Sequence, residues 1–177
     1  MKFQDIPKLY QANYKINMPW NYMGDWLERI GSDYGLELEP SFQRGHCWTE
    51  EKRIAYVEYV LAGGPSAREI QWNCYGWGTL RDVQGPMVLV DGLQRLTSVR
   101  MFLDNKLKAY GHLFKEFEDK MSWSEHWFLF FVNNLPTRKH VLEWYIQLNA
   151  GGVVHTASEI DKVREMLEQE IKNGKGA

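Results

Sequence analysis

A small mixed sheet flanked by helices, on the border between the α/β and α+β classes, is the architecture this sequence predicts, and three observations predict it. The apolar run Met87 to Val90 shows no alternation, as expected of a strand covered on both faces. It passes through Asp91-Gly92 straight into a segment whose Leu93, Leu96, Val99 and Leu103 recur at three- and four-residue spacing, a helix. Strand-like and helix-like segments continue on either side of this unit, with no internal repeat and no low-complexity linker between them. At 177 residues, 44% hydrophobic and 14% aromatic, the chain has the length of one domain and the side chains to fill a core. Disordered, collagen-like and disulfide-stapled classes are thereby excluded.

The elements follow in order. From Pro19 to Ile30, Trp20, Met23, Trp26, Leu27 and Ile30 lie near one helical face, and the GSDYG segment reads as a turn. Leu36 and Leu38 alternate with Glu37 and Glu39, a half-buried strand that Pro40 should end. Thr49 offers a hydroxyl cap, with Glu50 and Glu51 in the first turn, for a helix reaching about Ala62. Its buried stripe is predicted as Ile54, Val57, Val60 and Leu61, with Glu58 facing solvent. A GGPS turn precedes a strand from Glu69 to Tyr75, and a polar, glycine-bearing excursion leads into the Met87–Val90 strand. Trp127 to Val132 reads as another apolar strand. Arg138 to Leu148 reads as a helix, although its VLEWYIQL portion also fits a strand in part. Thr156 and Glu159 form a capping box for a last helix bearing Ile160, Val163, Met166, Leu167 and Ile171. The expected organisation is one domain over residues 1–177, with a motif-bearing core at 36–160 and a C-terminal helix and frayed tail at 161–177.

Charge and cysteine usage narrow the function classes. Lys and Arg number 21 against 23 Asp and Glu, a formal charge of −2, which argues against a strongly basic nucleic-acid coat or a cationic membrane binder as a whole-protein property. A local basic cleft stays open. Cys47 and Cys74 are too few and too isolated for a disulfide framework, a zinc knuckle or a redox pair, which favours a reducing compartment. The N-terminal segment lacks the apolar run of a signal peptide, and no stretch approaches the roughly 20 residues of a membrane span. A cytoplasmic protein that makes no membrane contact is the expectation. His46, His112, His126, His140 and His155 show no metal-ligand spacing, and the common P-loop, dinucleotide and nucleophile-elbow patterns are absent from the sequence.

Three segments carry candidate chemistry. In Asp91-Gly92-Leu93-Gln94-Arg95, a glycine between strand and helix permits a tight turn, and the helix start offers unpaired N–H groups and the positive end of the dipole. Arg95 would add a forked donor for phosphate oxygens, while Asp91 would hold Mg²⁺ or polarise a water. Alternatively, Asp91 only caps the helix and Arg95 meets solvent or a structural carboxylate. In Pro40-Ser41-Phe42-Gln43-Arg44-Gly45, Arg44 and Gly45 repeat the arrangement, so two junctions would converge on one anion if their strands are neighbours. A loop merely tied down by Gln43 and Arg44 is the other reading. Asn149-Ala150-Gly151-Gly152 is either a plain C-terminal cap or places Asn149 at the rim of a nucleotide site.

Taken together, PSFQRGHCWTEEKR, VLVDGLQRLTSVRMFL and YIQLNAGGVVHTASEI resemble the family called Domain of Unknown Function 262, the N-terminal domain of GmrSD-type modification-dependent restriction systems. The three segments stand in the family's order and span residues 40–160, about two-thirds of the chain. The resemblance implies a ParB/sulfiredoxin-like superfold, nucleoside-triphosphate binding and often hydrolysis, coupled to DNA restriction. It carries over Gln43, Arg44 and Trp48 from the first motif, Asp91, Gly92, Gln94 and Arg95 from the second, and Asn149, Gly151, Gly152 and Thr156 from the third. Leu93 departs from the family's usual glutamine, which points to weakened hydrolysis with phosphate binding retained. His155 replaces an apolar residue, and the sulfiredoxin-type thiol arrangement is missing. No HNH metal site of the larger restriction enzymes is recognisable, so a stand-alone nucleotide-binding subunit, a phage or mobile-element protein, and a decoy all fit.

The leading expectation is a Mg²⁺-dependent nucleotide phosphohydrolase. Arg44, Gly92 and Arg95 would bind phosphate, Asp91 would place the metal or the attacking water, and Gln94 would orient that water. The base, among ATP, GTP, CTP and UTP, is open. A nucleotide-regulated DNA-binding or DNA-nicking module is the second reading, drawing on Arg81, Arg95 and Arg100. An interaction or anti-restriction protein, partnered by a restriction subunit, another host defence protein or itself, is the third.

Overall fold

The computed structural model of the protein describes residues 2–43, 45–78, 83–122, 124–149 and 157–174. Chain order runs β1 (Tyr14–Pro19), α1 (Trp20–Asp33), β2 (Leu36–Glu37), α2 (Glu50–Leu61), β3 (Glu69–Tyr75), β4 (Gln84–Asp91), α3 (Leu93–Leu103), β5 (Trp127–Asn133), α4 (Arg138–Asn149) and α5 (Ala157–Gly174). The strands form one five-stranded sheet in the order β1-β5-β3-β4-β2. Parallel pairing joins β5 to β3 and β2 to β4, while β1 with β5 and β3 with β4 are antiparallel. The mixed sheet with flanking helices is therefore observed.

Alternation of side chains along each strand divides the core in two. Ile70, Trp72 and Cys74 of β3, Met87 and Leu89 of β4, and Phe128, Phe130 and Val132 of β5 point toward α1, α2 and α3 and form the larger apolar cluster. Trp26, Trp72 and Phe130 meet there edge-on, with ring centroids 5.1 to 5.7 Å apart, the geometry aromatic quadrupoles favour. On the opposite face, Val90 packs with Phe42, Leu142, Trp144 and Tyr145, so α4 and α5 cover a smaller cluster. Polar side chains share this second face. Asn73 is buried and clamps the chain beyond β5, donating to the Leu135 carbonyl at 3.2 Å and accepting from the Leu135 amide at 2.8 Å. Burial pushes the Cys74 thiol up to about 11 on the apolar face, so it stays protonated at neutral pH.

Several expectations need correction. β1 was not foreseen, because Tyr14–Pro19 mixes exposed and buried positions without strict alternation and ends in proline. The helix from Trp20 runs through Gly31 and Ser32 to Asp33, beyond the expected turn, and Tyr34 and Gly35 close it by donating to Ile30 and Gly31 carbonyls. The Leu36 strand shrinks to two residues, paired only with Met87 and Val88. On α2, Arg53 and Tyr56 join Val57 and Val60 as the buried positions, whereas Ile54 and Leu61 are half-buried. Glu58 is half-buried as well, since its carboxylate accepts the Tyr110 amide at 2.6 Å. Arg138–Asn149 is wholly helical, which removes the strand alternative. The expected Thr156–Glu159 capping box lies outside the described residues. Among the described residues, no helix is long and apolar enough to cross a membrane.

Candidate functional site

Gly92 builds the β4–α3 junction. Its φ of +105° is a conformation that residues with side chains resist, and it lets β4 turn into α3 with no intervening loop. A Cβ there would also sit 2.6 Å from Ile70 Cδ1 and 3.3 Å from Ile70 Cα, so β3 leaves no space for a side chain. Asp91, paired with Gln71 at a register shift in the β3–β4 ladder, ends the strand. Arg95, in the first turn of α3, donates from Nη2 to Asp91 Oδ2 at 2.6 Å and from Nε to the Glu69 carbonyl at 3.1 Å. The guanidinium is thus drawn back over the start of β3 and fixed there.

Gln94 points the other way. Its Oε1 accepts from the Cys47 and Trp48 amides at 3.3 Å and from Arg53 Nη2 at 3.4 Å, and its Nε2 donates to the Gly45 carbonyl at 3.0 Å. Both ends of the carboxamide are spent on protein, so Gln94 holds the loop before α2 in place; orienting a water would require releasing these bonds. Gln43 ties the same loop to the sheet, donating to the Leu89 carbonyl at 2.6 Å. The two junctions proposed from sequence therefore lie side by side. Trp48 packs edge-on against Tyr56 with centroids 5.4 Å apart. Phe42 lies 5.3 Å from Tyr145 on α4, and Arg138 donates to Ser41 Oγ at 2.7 Å, which seats the first motif on the helix leading to the third. Asn149 Nδ2 donates to the Tyr145 carbonyl at 2.7 Å, the bond of a helix-end cap. Arg44, Gly151, Gly152 and Thr156 lie outside the described residues, as does Arg81. Leu93 is buried in the larger apolar cluster.

Asp91 and Arg95 face a cleft of about 350 Å³ where β4 ends and β3 and β5 begin, shared with Arg68, Glu69, Trp127 and Leu129. Arg68 is only 6% exposed, a level guanidiniums reach rarely without a partner acid. It donates to the Gly64 carbonyl at 2.8 Å and the Glu125 carbonyl at 2.6 Å, and it lies 4.8 Å above the Trp127 ring. Tyr56 reports the field here. Burial pushes its hydroxyl well up, while Arg95 and Arg68 both act to lower it. Sequence reasoning missed Arg53 and Arg68. For Arg53 a signal existed, a charged residue at helical spacing from Val57 and Val60 on the buried stripe; for Arg68, beside a turn, none did.

Among the described residues, no group of three or more His, Cys, Asp and Glu side chains is placed to hold a metal ion. Among the described residues, the carboxylates lining this cleft are Asp91 and Glu69. A second cavity, about 280 Å³ and walled by Phe102, Phe114 and Phe117, contains none of the sequence-predicted site residues. Comparisons of the chain with protein families, with curated proteins and with solved structures find no match.

Proposed function

We propose that the chain is a nucleotide-phosphate-binding domain of ParB/sulfiredoxin-like architecture, with Mg²⁺-dependent nucleoside-triphosphate hydrolysis at the β4–α3 junction. One observation carries the reading: a glycine-hinged strand-to-helix turn presents Asp91 and a fixed Arg95 to a cleft large enough for a small ligand. Among the described residues, Arg95 Nη1 has no acceptor beyond those that Nε and Nη2 find in Glu69 and Asp91, and this nitrogen would meet phosphate oxygen. Asp91, held by Arg95, would position the attacking water. Gln94 acts through the loop it holds and is a positioning residue.

The donor set suits an Mg²⁺ ion that arrives on the phosphates and keeps several waters, since such ions need only one or two protein carboxylates. Asp91 would take that part, with Glu69 beside it in the cleft. When bound, the ion would neutralise charge building on the phosphate oxygens. Coupling to DNA restriction or to phage and mobile-element biology rests on the three motif segments and the family they resemble.

Binding and Mg²⁺-dependent phosphate release with ATP, GTP, CTP and UTP test the proposal. Turnover of at least one nucleotide is expected in the wild type, falling about 10²-fold or more in Arg95→Ala and in Asp91→Ala. Full turnover in both variants, or a folded wild type that neither binds nor hydrolyses any of the four, would defeat it.

A further inference from the structure

The guanidinium of Arg68 is enclosed by two backbone carbonyls and an indole ring. Nε is committed to the Gly64 carbonyl and Nη1 to the Glu125 carbonyl, so the plane of the group is fixed from both ends. Trp127 backs one face at 4.8 Å. Among the described residues, neither a carboxylate in ion-pair contact with Arg68 nor an acceptor for Nη2 is present. Asp91, the acid of the same cleft with the least solvent exposure, is taken by Arg95 at 2.6 Å. Glu69 is solvent-exposed.

Burying a cation without a counter-charge is costly, and the two carbonyls it anchors need only neutral donors, so they do not by themselves account for a charge here. A fixed, stacked, half-committed fork is instead the arrangement that recognises phosphate oxygens with little ordering left to do. Two guanidiniums on one cleft of about 350 Å³ suit a ligand carrying more than one phosphoryl group.

We infer that Arg68 is a second phosphate-binding arginine, which grips a di- or triphosphate group together with Arg95. This rests on the reading of the β4–α3 cleft as a phosphate site and adds a residue that none of the three motifs contains. Whether the group belongs to a nucleotide or to free pyrophosphate is decided by the ligands used in the test.

The test is calorimetric titration of the full chain with Mg²⁺-pyrophosphate, orthophosphate and Mg²⁺-ATP, comparing wild type with Arg68→Lys, Arg68→Gln and Arg95→Ala. Pyrophosphate affinity should fall at least tenfold in Arg68→Gln and Arg95→Ala, and by less in Arg68→Lys, which keeps the charge but not the fork. Because Arg68 also anchors two carbonyls, a second measurement uses wild type alone: its Nε–H resonance should shift on pyrophosphate addition. Unchanged affinity in folded Arg68 variants, an unmoved resonance at saturation, or a wild type that binds none of the three ligands overturns the inference. Pyrophosphate binding that depends on Arg68, without turnover of any triphosphate, would instead retain this site and remove only the hydrolase.

Discussion

The turn from β4 into α3 and the connection from Pro40 to Thr49 both deliver the chain to the start of a helix, but they are held by different means. In the first, two adjacent residues suffice: Asp91 ends the ladder and Gly92 turns at φ +105° against Ile70. In the second, the loop is held by contacts with distant elements: Gln94 reaches it from α3, and its own Gln43 reaches the Leu89 carbonyl of β4. A short junction stores its geometry in backbone conformation. A long one borrows its geometry from side chains that arrive from elsewhere in the chain.

Gly92→Ala should break the first junction and produce the largest effect. The left-handed backbone and the overlap with Ile70 together should cost about 3 kcal/mol, measured as a lowered urea midpoint at unchanged m-value. Gln94→Ala should sharpen the contrast. Leaving the Cys47 and Trp48 amides, the Gly45 carbonyl and the Arg53 guanidinium without this partner should cost about 2 kcal/mol. Amide exchange should quicken at Cys47 and Trp48 while α3 beyond its first turn stays protected; a uniform loss across the protein would contradict the division.

The smallest effect belongs to the cap at which the loop ends. Thr49 Oγ1 accepts the Lys52 amide at 3.4 Å, a long bond on an exposed residue, so Thr49→Ala should cost about 0.5 kcal/mol. Glu51 adds a pH signature. Its own backbone N–H, and then the Thr49 hydroxyl, hold its carboxyl below the usual carboxylate range. A depressed acid contributes stability that is present above the unfolded value and lost as pH falls through the folded one. Denaturation measured between pH 7 and pH 3 should therefore show a shallower acid loss in Thr49→Ala.

What could be read from sequence tracks the same distinction. The β4–Gly92–α3 unit, β3, β5 and the Thr49-capped helix were legible because their signals are local: an apolar run, a glycine between elements, a hydroxyl before two acids. β1 was not, since its partner β5 lies more than 100 residues later and its own pattern is ambiguous. Leu38 shows the limit of alternation: the pattern is real, but only Leu36 and Glu37 find a partner strand. At the site, Asp91 and Arg95 were legible as residues, and their mutual ion pair closes across the Gly92 turn, four residues apart. The partners of Gln94 were not, because all four lie more than forty residues away. Arg68 was hidden largely for the same reason: Gly64 is only four residues away, but Glu125 and Trp127 come from more than fifty residues later.

The order of the strands has a consequence in time. β1 is at an edge and pairs with β5 alone, so Tyr14 must wait for Val132 to be made. At typical synthesis rates of roughly 5–20 residues per second, the intervening stretch of roughly 120 residues takes about 6–24 s to appear. The β3–β4 hairpin and α3 can associate within that interval, but β5 must then insert between β1 and β3, two strands translated before it. An emerging chain therefore carries an early strand with no partner, and the last strand made closes the sheet.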